Sequence, residues 1–272
     1  MHYNAGAFVS EGEACLVDPG ILADEIAALV EELGAAEVRS IVLTHNDWDH
    51  ILGPEHLPPA IIIAHTAYGR EPDPDGIRAQ LSKLEQHAGV TREHPFEPPL
   101  PDKTFENEMT LRVGDLELQL EHAPGHSANM LTIHEPRSAT LWAADVLSDV
   151  ELPVIDNLDS YERTLTRLAQ LEIRTLVPGH GTPTEYPAEI RARIDEDRAY
   201  LAALRATITE AVAAGRPLEE TMTACGRISL RRSEGDDEIH RLNVEKIYAD
   251  SGGDADPEAV GYAHAWKKMT RE

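Results

Sequence analysis

Four potential metal ligands fall within six residues of this chain, in the segment THNDWDH at residues 44–50. They follow a short apolar run rich in β-branched residues, at positions 38–43, that predicts a β-strand. The cluster therefore lies on a loop at the carboxyl end of a strand, where α/β proteins commonly place their chemistry. The segment predicts an α/β fold with a metal-binding loop.

Three further candidates each follow a predicted strand, at His126, Asp145 and His180. Imidazole nitrogen and carboxylate oxygen are common ligands of divalent cations, and loops on rigid strands can hold them around an open coordination position. Gly125 and Gly179 allow tight turns that direct the histidines after them into a shared cavity. The predicted ligand set is His45, Asp47, Asp49, His50, His126, Asp145 and His180.

Alternating patterns and turn residues predict two sheets with helices between some of the strands. Residues 66–107 are rich in proline and predict an irregular excursion around a helix at 77–87. The other predicted strands are at 7–17, as a pair, and at 109–113, 116–120, 130–133, 140–144 and 175–177, with a helix at 22–33.

A long helix is predicted from Pro187 to about Ala214, and the residues that follow are helical and more polar in pattern. We therefore expect a catalytic domain at residues 1–185 and a helical C-terminal extension at residues 186–272 that packs on it.

The formal charge of −25 disfavours binding to nucleic acid, which requires neutralisation of phosphates. Apolar stretches are too short to span a bilayer, and the first residues lack the pattern of a secretory signal. Cys15 and Cys225 form no Cys-x-x-Cys pair, which gives no support to a disulfide framework or zinc ribbon. We expect a soluble, cytoplasmic protein with a small-molecule substrate and no nucleic-acid or membrane partner, and the sequence leaves open a homodimer.

The motifs resemble the ordered signature of the metallo-β-lactamase superfamily, over roughly residues 4–185. They are THNDWDH at 44–50, PGHS at 124–127, AD at 144–145 and VPGHG at 177–181, in an order similar to that of glyoxalase II. The early DPG turn at 18–20 and a helix beginning near Ile51 also match. The resemblance implies a four-layer αββα sandwich in which two mixed sheets pack face to face.

The resemblance also implies roles for the candidate ligands. One divalent cation would be held by His45, Asp47 and His126, a second by Asp49, His50 and His180, and both by Asp145. Such a pair lowers the pKa of a bound water and polarises the attacked bond. Asp49 would also act in catalysis, by orienting the water or by passing a proton to the leaving group.

Asp47 departs from the superfamily signature, which usually has histidine at this position. Zinc is the expected metal, but a carboxylate is a harder ligand than imidazole and favours iron or manganese. Asp47 could instead be a hydrogen-bonding partner of a ligating histidine.

These observations predict a metal-dependent hydrolase of a small ester, thioester or lactone. Two alternatives are a mononuclear iron oxygenase resembling the persulfide dioxygenases, and a non-catalytic, metal-stabilised binding protein. Two residues near the ligands have open roles: Trp48 either forms a pocket wall or packs beneath the loop, and Asp18 either holds the metal loops or is a turn residue.

Overall fold

Two five-stranded sheets form the centre of the protein in a computed structural model that describes residues 3–69, 74–89, 94–228, 236–256, 259–262 and 265. In the first sheet the strands lie side by side in chain order; β1 and β2 are antiparallel and the remaining pairs are parallel. Its strands are β1 (Gly6–Ser10), β2 (Glu13–Val17), β3 (Glu37–Val42), β4 (Ile61–His65) and β5 (Lys103–Phe105).

The second sheet has the order β10-β9-β8-β7-β6, where β9 and β10 are parallel and the other pairs are antiparallel. Its strands are β6 (Glu108–Val113), β7 (Leu116–His122), β8 (Leu131–Glu135), β9 (Thr140–Ala144) and β10 (Thr175–Pro178).

Helices cover the outer face of each sheet. They are α1 (Ala23–Glu32), α2 (Pro74–Ala88), α3 (Leu158–Leu168), α4 (Pro187–Ala213), α5 (Leu218–Cys225) and α6 (Asp236–Asp250). None of the helices in the described ranges combines the length and apolarity needed to cross a bilayer.

Successive side chains of a strand point to opposite faces, and this alternation divides the core into layers. Val17 and Val42 of the first sheet pack against Leu120 and Ile133 of the second, between the two sheets. Leu16, next to Val17 in β2, lies on the outer face of the first sheet, in a cluster that includes residues of both flanking helices. The cluster also contains Ile41, Leu29 of α1, and Ile77 and Leu81 of α2.

The outer face of the second sheet packs against α3, α4 and the C-terminal helices. Leu141 and Leu176 lie in one buried cluster with Tyr161 of α3, Leu201 of α4 and Ile247 of α6. The layers are therefore helix, sheet, sheet, helix, which confirms the predicted αββα sandwich.

The domain boundary at residue 185 stays a prediction, and residues 229–235 of the C-terminal segment lie outside the described residues.

The predicted helix near Ile51 is wrong. Two 3-10 turns occupy this region, at Trp48–His50 and Gly53–His56. A Cβ atom at Gly53 would lie 2.7 Å from Pro19 Cγ. The chain therefore approaches the DPG turn so closely at Gly53 that a side chain there would clash with it.

The excursion at residues 66–107 is more ordered than predicted. It contains α2, which includes the predicted helix, and the edge strand β5, while residues 70–73 and 90–93 lie outside the described part of the chain. Strand β4, which precedes the excursion, was not predicted.

Candidate metal centre

The seven predicted ligands converge between the carboxyl ends of strands from both sheets. The segment with His45 and His50 follows β3 of the first sheet. His126, Asp145 and His180 follow β7, β9 and β10 of the second sheet. The centre is therefore built from both halves of the sandwich.

One group of potential ligands comprises His45, Asp47 and His126, whose ligand atoms all lie within 4.8 Å of one another. Asp47 Oδ2 lies 3.6 Å from His45 Nε2 and 3.2 Å from His126 Nε2. The structure therefore places Asp47 beside both histidines that were assigned with it to one cation.

A second group comprises Asp49, His50 and His180, within the same 4.8 Å limit. Asp49 Oδ2 lies 3.3 Å from His180 Nε2 and 3.9 Å from His50 Nε2. This set is the one assigned to the other cation.

Asp145 lies between the two groups. Its Oδ2 atom is 3.5 Å from His45 Nε2, 3.6 Å from His126 Nε2 and 3.3 Å from His180 Nε2. Its Oδ1 atom is 3.2 Å from His50 Nε2. Asp145 therefore lies close to histidines of both groups, and its role as a bridging ligand stays a prediction.

Several buried atoms of the centre support a metal site. Within the part of the chain that the structure describes, the buried atoms His45 Nε2, His50 Nε2 and Asp145 Oδ1 have no hydrogen-bond partner. Buried polar atoms are nearly always satisfied, so such a group of them requires an explanation. Imidazole nitrogens with carboxylate oxygens suit zinc, iron or manganese, and a divalent cation would satisfy all three atoms.

The metal-free centre holds strong charge pairs. Burial opposes the charged form of His45, but the Asp145 and Asp47 carboxylates raise the pKa of His45 to about 9. Burial likewise opposes charge on His180, yet Asp145 and Asp49 raise its pKa to about 11. The pKa of Asp145 is well below its usual value because His50 and His45 outweigh the effect of burial. Protons on His45 and His180 therefore offset part of the carboxylate charge when no cation is bound.

Asp18 holds the metal-binding loop by hydrogen bonds, which answers the question left by the sequence. It is fully buried, with its Oδ1 accepting from the Thr44 backbone N–H at 2.8 Å and its Oδ2 from the Thr44 hydroxyl at 2.6 Å. His50 Nδ1 lies 2.9 Å from Asp18 Oδ2, and His45 Nδ1 lies 3.0 Å from the Thr44 hydroxyl. Because the Nδ1 atoms of both histidines are occupied, their Nε2 atoms face the centre.

A pair of asparagines ties the loop to the second sheet. Asn129 Oδ1 accepts from the Asn46 backbone N–H at 2.9 Å, and Asn129 Nδ2 donates to Asn46 Oδ1 at 2.7 Å. Sequence reasoning missed this contact, since 83 residues separate the two positions and asparagine is common in loops.

The two glycines are required for different reasons. Gly125 has φ +143°, and a Cβ atom there would lie 2.4 Å from Tyr161 Cα. At Gly179 the requirement is steric and not conformational, because a Cβ atom added there would lie 2.1 Å from Asp145 Oδ1.

Two cavities, of about 590 Å³ and about 610 Å³, reach the centre. The first, here called the polar cavity, includes His65, Asn107, His122 and Ser127 in its lining. The second, here called the apolar cavity, includes Val146, Val150, Leu152, Ile239 and Leu242. Both are lined by Asp47, Trp48, His126, Val154 and Tyr262.

Two of these shared residues bear on the sequence predictions. Trp48 lines both cavities, and it also packs against the cluster on the outer face of the first sheet, so both roles considered for it apply. Tyr262 was not predicted, because it lies far from every motif in the sequence.

A sequence-family model described as the metallo-beta-lactamase superfamily matches residues 2–180. One relative is a Gallus gallus protein named acyl-coenzyme A thioesterase MBLAC2, 28% identical over 152 residues, which cover 51% of this chain and 55% of the relative.

Solved structures show similarity in fold. The sec-alkylsulfatase Pisa1 from Pseudomonas sp. matches with a TM-score of 0.71 and 15% identity, covering 93% of this chain and 48% of that chain. A metallo-beta-lactamase family protein from Thermus thermophilus matches with a TM-score of 0.61 and 22% identity, covering 91% of this chain and 89% of that one. The chain thus spans about half the length of the thioesterase and of the alkylsulfatase.

Proposed function

Because this chain belongs to the metallo-beta-lactamase superfamily, we propose that it is a metal-dependent hydrolase of a small-molecule ester, thioester or lactone. The observation that carries the proposal is the convergence of seven nitrogen and oxygen ligands in two groups that share Asp145. Each group alone could be a local charge cluster, but their junction around one carboxylate is typical of a two-cation site.

His45, Asp47 and His126 would hold one divalent cation, and Asp49, His50 and His180 the other. When bound, the cations supply Lewis acidity and make a water acidic enough to attack near neutral pH. The donor set is compatible with zinc, and Asp47 increases the preference for iron or manganese.

Residues of the chain position the reacting groups. The Asp18 carboxylate and Thr44 hydroxyl fix the ring orientations of His50 and His45. Asp49 is buried and lines the apolar cavity. A carboxylate there can orient the attacking water or carry its proton to the leaving atom.

The thioester has the best support among the candidate bonds. The Gallus gallus relative carries the name of a thioesterase, and its match reaches 28% identity. Fold similarity to the alkylsulfatase, at 15% identity, gives no support to sulfate ester cleavage.

The proposal is tested by elemental analysis of the purified protein together with a substrate panel of esters, thioesters, lactones and phosphodiesters. We expect two equivalents of divalent metal, hydrolysis of at least one ester, thioester or lactone, and loss of this activity on chelation. His126→Asn should lower kcat/KM at least a hundredfold, whereas His87→Asn, on the exposed side of α2, should not change it.

Two results would contradict the proposal. A fully metal-loaded protein that cleaves nothing in the panel would favour a binding function. Oxygen uptake with glutathione persulfide, in the absence of any hydrolysis, would favour an iron oxygenase.

A further inference from the structure

The polar and apolar cavities are similar in volume, at about 590 Å³ and about 610 Å³, and meet at the candidate metal centre. Each is within the usual range for a small-molecule site, about 300–1,000 Å³. The shared lining includes Asp47 and His126, which belong to the centre itself. A bond that reacts at the centre therefore lies where the two cavities join.

The two cavities contain similar amounts of apolar surface, and the polar cavity contains more polar surface than the apolar cavity does. In the polar cavity, the rings of His65 and His122 stack at 3.8 Å, beside the side chains of Asn107 and Ser127. His65 Nδ1 and Nε2 and His122 Nε2 are already hydrogen-bonded to the backbone, so the two rings offer a flat aromatic surface. Asn107 and Ser127 are the side chains that offer hydrogen bonds to a ligand.

The apolar cavity is walled mainly by aliphatic side chains, including Val146, Val150 and Leu242. Acidic residues also contribute to its lining, at Glu151, Asp197, Asp236 and Glu238. Aliphatic walls favour a hydrocarbon group, and the carboxylates oppose an anionic one.

The wall between the cavities is held in place by α6. Val154 lines both cavities, and its neighbours are hydrogen-bonded to Asn243: the Ile155 N–H donates to Asn243 Oδ1 at 2.9 Å, and Asn243 Nδ2 donates to the Pro153 carbonyl at 2.7 Å. The Leu152 N–H donates to Asp236 Oδ1 at 3.3 Å. Buried hydrogen bonds of this kind fix the segment, so the two cavities stay distinct.

We propose, on the basis of the proposed function, that the natural substrate is a two-armed ester or thioester. One arm is an uncharged hydrocarbon group that fills the apolar cavity, and the other is a hydrogen-bonding group that fills the polar cavity. In the reaction, the bond between the acyl carbon and the leaving oxygen or sulfur breaks. Water supplies a hydroxyl group to the acyl carbon and a proton to the leaving atom.

The experiment measures kcat/KM of the metal-loaded protein for thioesters in which one arm is extended at a time. One series joins acyl chains of two to eight carbons to N-acetylcysteamine, and the other joins one acyl chain to ethanethiol, N-acetylcysteamine or pantetheine. Each added methylene in the apolar arm should raise kcat/KM about fourfold until the cavity is full. The polar extensions should raise it independently. Thioesters of N-acetylglycine with alkanethiols reverse the arrangement, with the hydrogen-bonding arm on the acyl side and the hydrocarbon arm on the sulfur side. A gain in kcat/KM with either arrangement supports the proposal.

Two substitutions, one in each cavity, test the contributions of the two cavities to kcat/KM separately. Val150 lines only the apolar cavity and Ala128 only the polar one, and both side chains are partly or fully exposed. Val150→Trp should remove the gain from the hydrocarbon arm and keep that of the polar arm, while Ala128→Trp should do the reverse. For each variant, the gain is the ratio of kcat/KM for the extended thioester to kcat/KM for S-ethyl thioacetate, so a general loss of activity at the centre cancels. Val150→Phe and Ala128→Phe provide a smaller change if either tryptophan variant fails to fold.

The proposal is overturned if extending the arms raises the kcat/KM of the wild type in neither arrangement of the two arms. It is also overturned if one variant removes the gains from both arms equally. If the wild type cleaves the small thioester but shows no gain from either arm, the two-armed substrate fails and the hydrolase function stands. If it cleaves no thioester, ester or lactone at all, the hydrolase function fails as well.

Discussion

Asp18 Oδ2 lies 2.9 Å from His50 Nδ1, and this contact determines which ring nitrogen of His50 faces the candidate metal centre. Both side chains are buried, and the same carboxylate also accepts two hydrogen bonds from Thr44. A residue outside the seven potential ligands therefore orients two of them, His50 directly and His45 through Thr44.

Asp18→Asn should weaken metal binding about 10- to 100-fold, the usual effect of losing a partner that orients a ligating histidine. The amide nitrogen would replace either Oδ1, which accepts from the Thr44 N–H, or Oδ2, which contacts both the Thr44 hydroxyl and His50 Nδ1, so at least one of these contacts would lose its acceptor. The affinity can be measured by competition with a chromophoric chelator. Asp24→Asn, an exposed position at the start of α1, is the matched control and should bind as the wild type does. Equal affinity in both variants would show that Asp18 has no orienting role.

Asp47→Ala should reduce bound metal toward one equivalent, because His45 and His126 would lose the carboxylate that lies between them. Asp47→His should keep both equivalents and shift the preference toward zinc, since imidazole is the softer ligand. Elemental analysis after loading with mixed zinc, iron and manganese measures both effects, with Glu31→Ala as an exposed control. Two retained equivalents in Asp47→Ala would show that Asp47 is not a ligand.

Metal binding should release protons at pH 7. The pKa values of His45 and His180, raised to about 9 and about 11, keep both rings protonated in the metal-free protein, whereas a ligating imidazole must be neutral. The release should fall as the pH rises through this range, because fewer protons remain to be displaced. Isothermal calorimetry in buffers of different ionisation enthalpy counts the protons. A proton count of zero at pH 7 would contradict the charge pairs described for the metal-free centre.

Gly125→Ala should lower the free energy of unfolding by more than Gly12→Ala does. Both glycines have positive φ, at +143° and +79°, but an added Cβ meets the backbone of Tyr161 at Gly125 and nothing within 4 Å at Gly12. Left-handed backbone alone costs a residue with a side chain about 1–2 kcal/mol, so Gly12→Ala isolates this contribution. Urea unfolding of the two variants gives the comparison. Equal losses would mean that the loop before His126 moves away from α3 at little cost.

Hydrolysis of an acyl-coenzyme A should become faster relative to a neutral thioester of the same acyl group as KCl is added. The net charge of −25 repels a polyanionic substrate, and salt screens this repulsion. The ratio of kcat/KM for octanoyl-coenzyme A to that for octanoyl-N-acetylcysteamine, between 0.05 M and about 0.5 M KCl, measures the effect. A ratio that falls with salt would instead indicate a local basic site for the phosphates.

Much of the fold was predictable because its signals are local. The alternation in β6 and β7 and the limits of β9 follow from patterns of a few residues, and His126, Asp145 and His180 follow from their positions after strands. The arrangement of the seven residues into two groups was supplied by the resemblance to a known family, since spacing alone does not determine which side chains meet.

Other features depend on contacts between distant segments. The close approach of Gly53 to Pro19 and the hydrogen bond between Asn129 and Asn46 both join segments that are far apart in the sequence. Tyr262 reaches both cavities although 82 residues separate it from His180, the last of the potential ligands in the sequence. Such pairings leave no periodic pattern in the chain.

The potential ligands come from both sheets, and this origin gives metal a role in holding the sandwich closed. A cation bound by His45 and His126 would cross-link the two sheets at the edge where their strands end. Depletion by a chelator would remove this cross-link without any change in the chain. The edges of the two sheets would then separate more often.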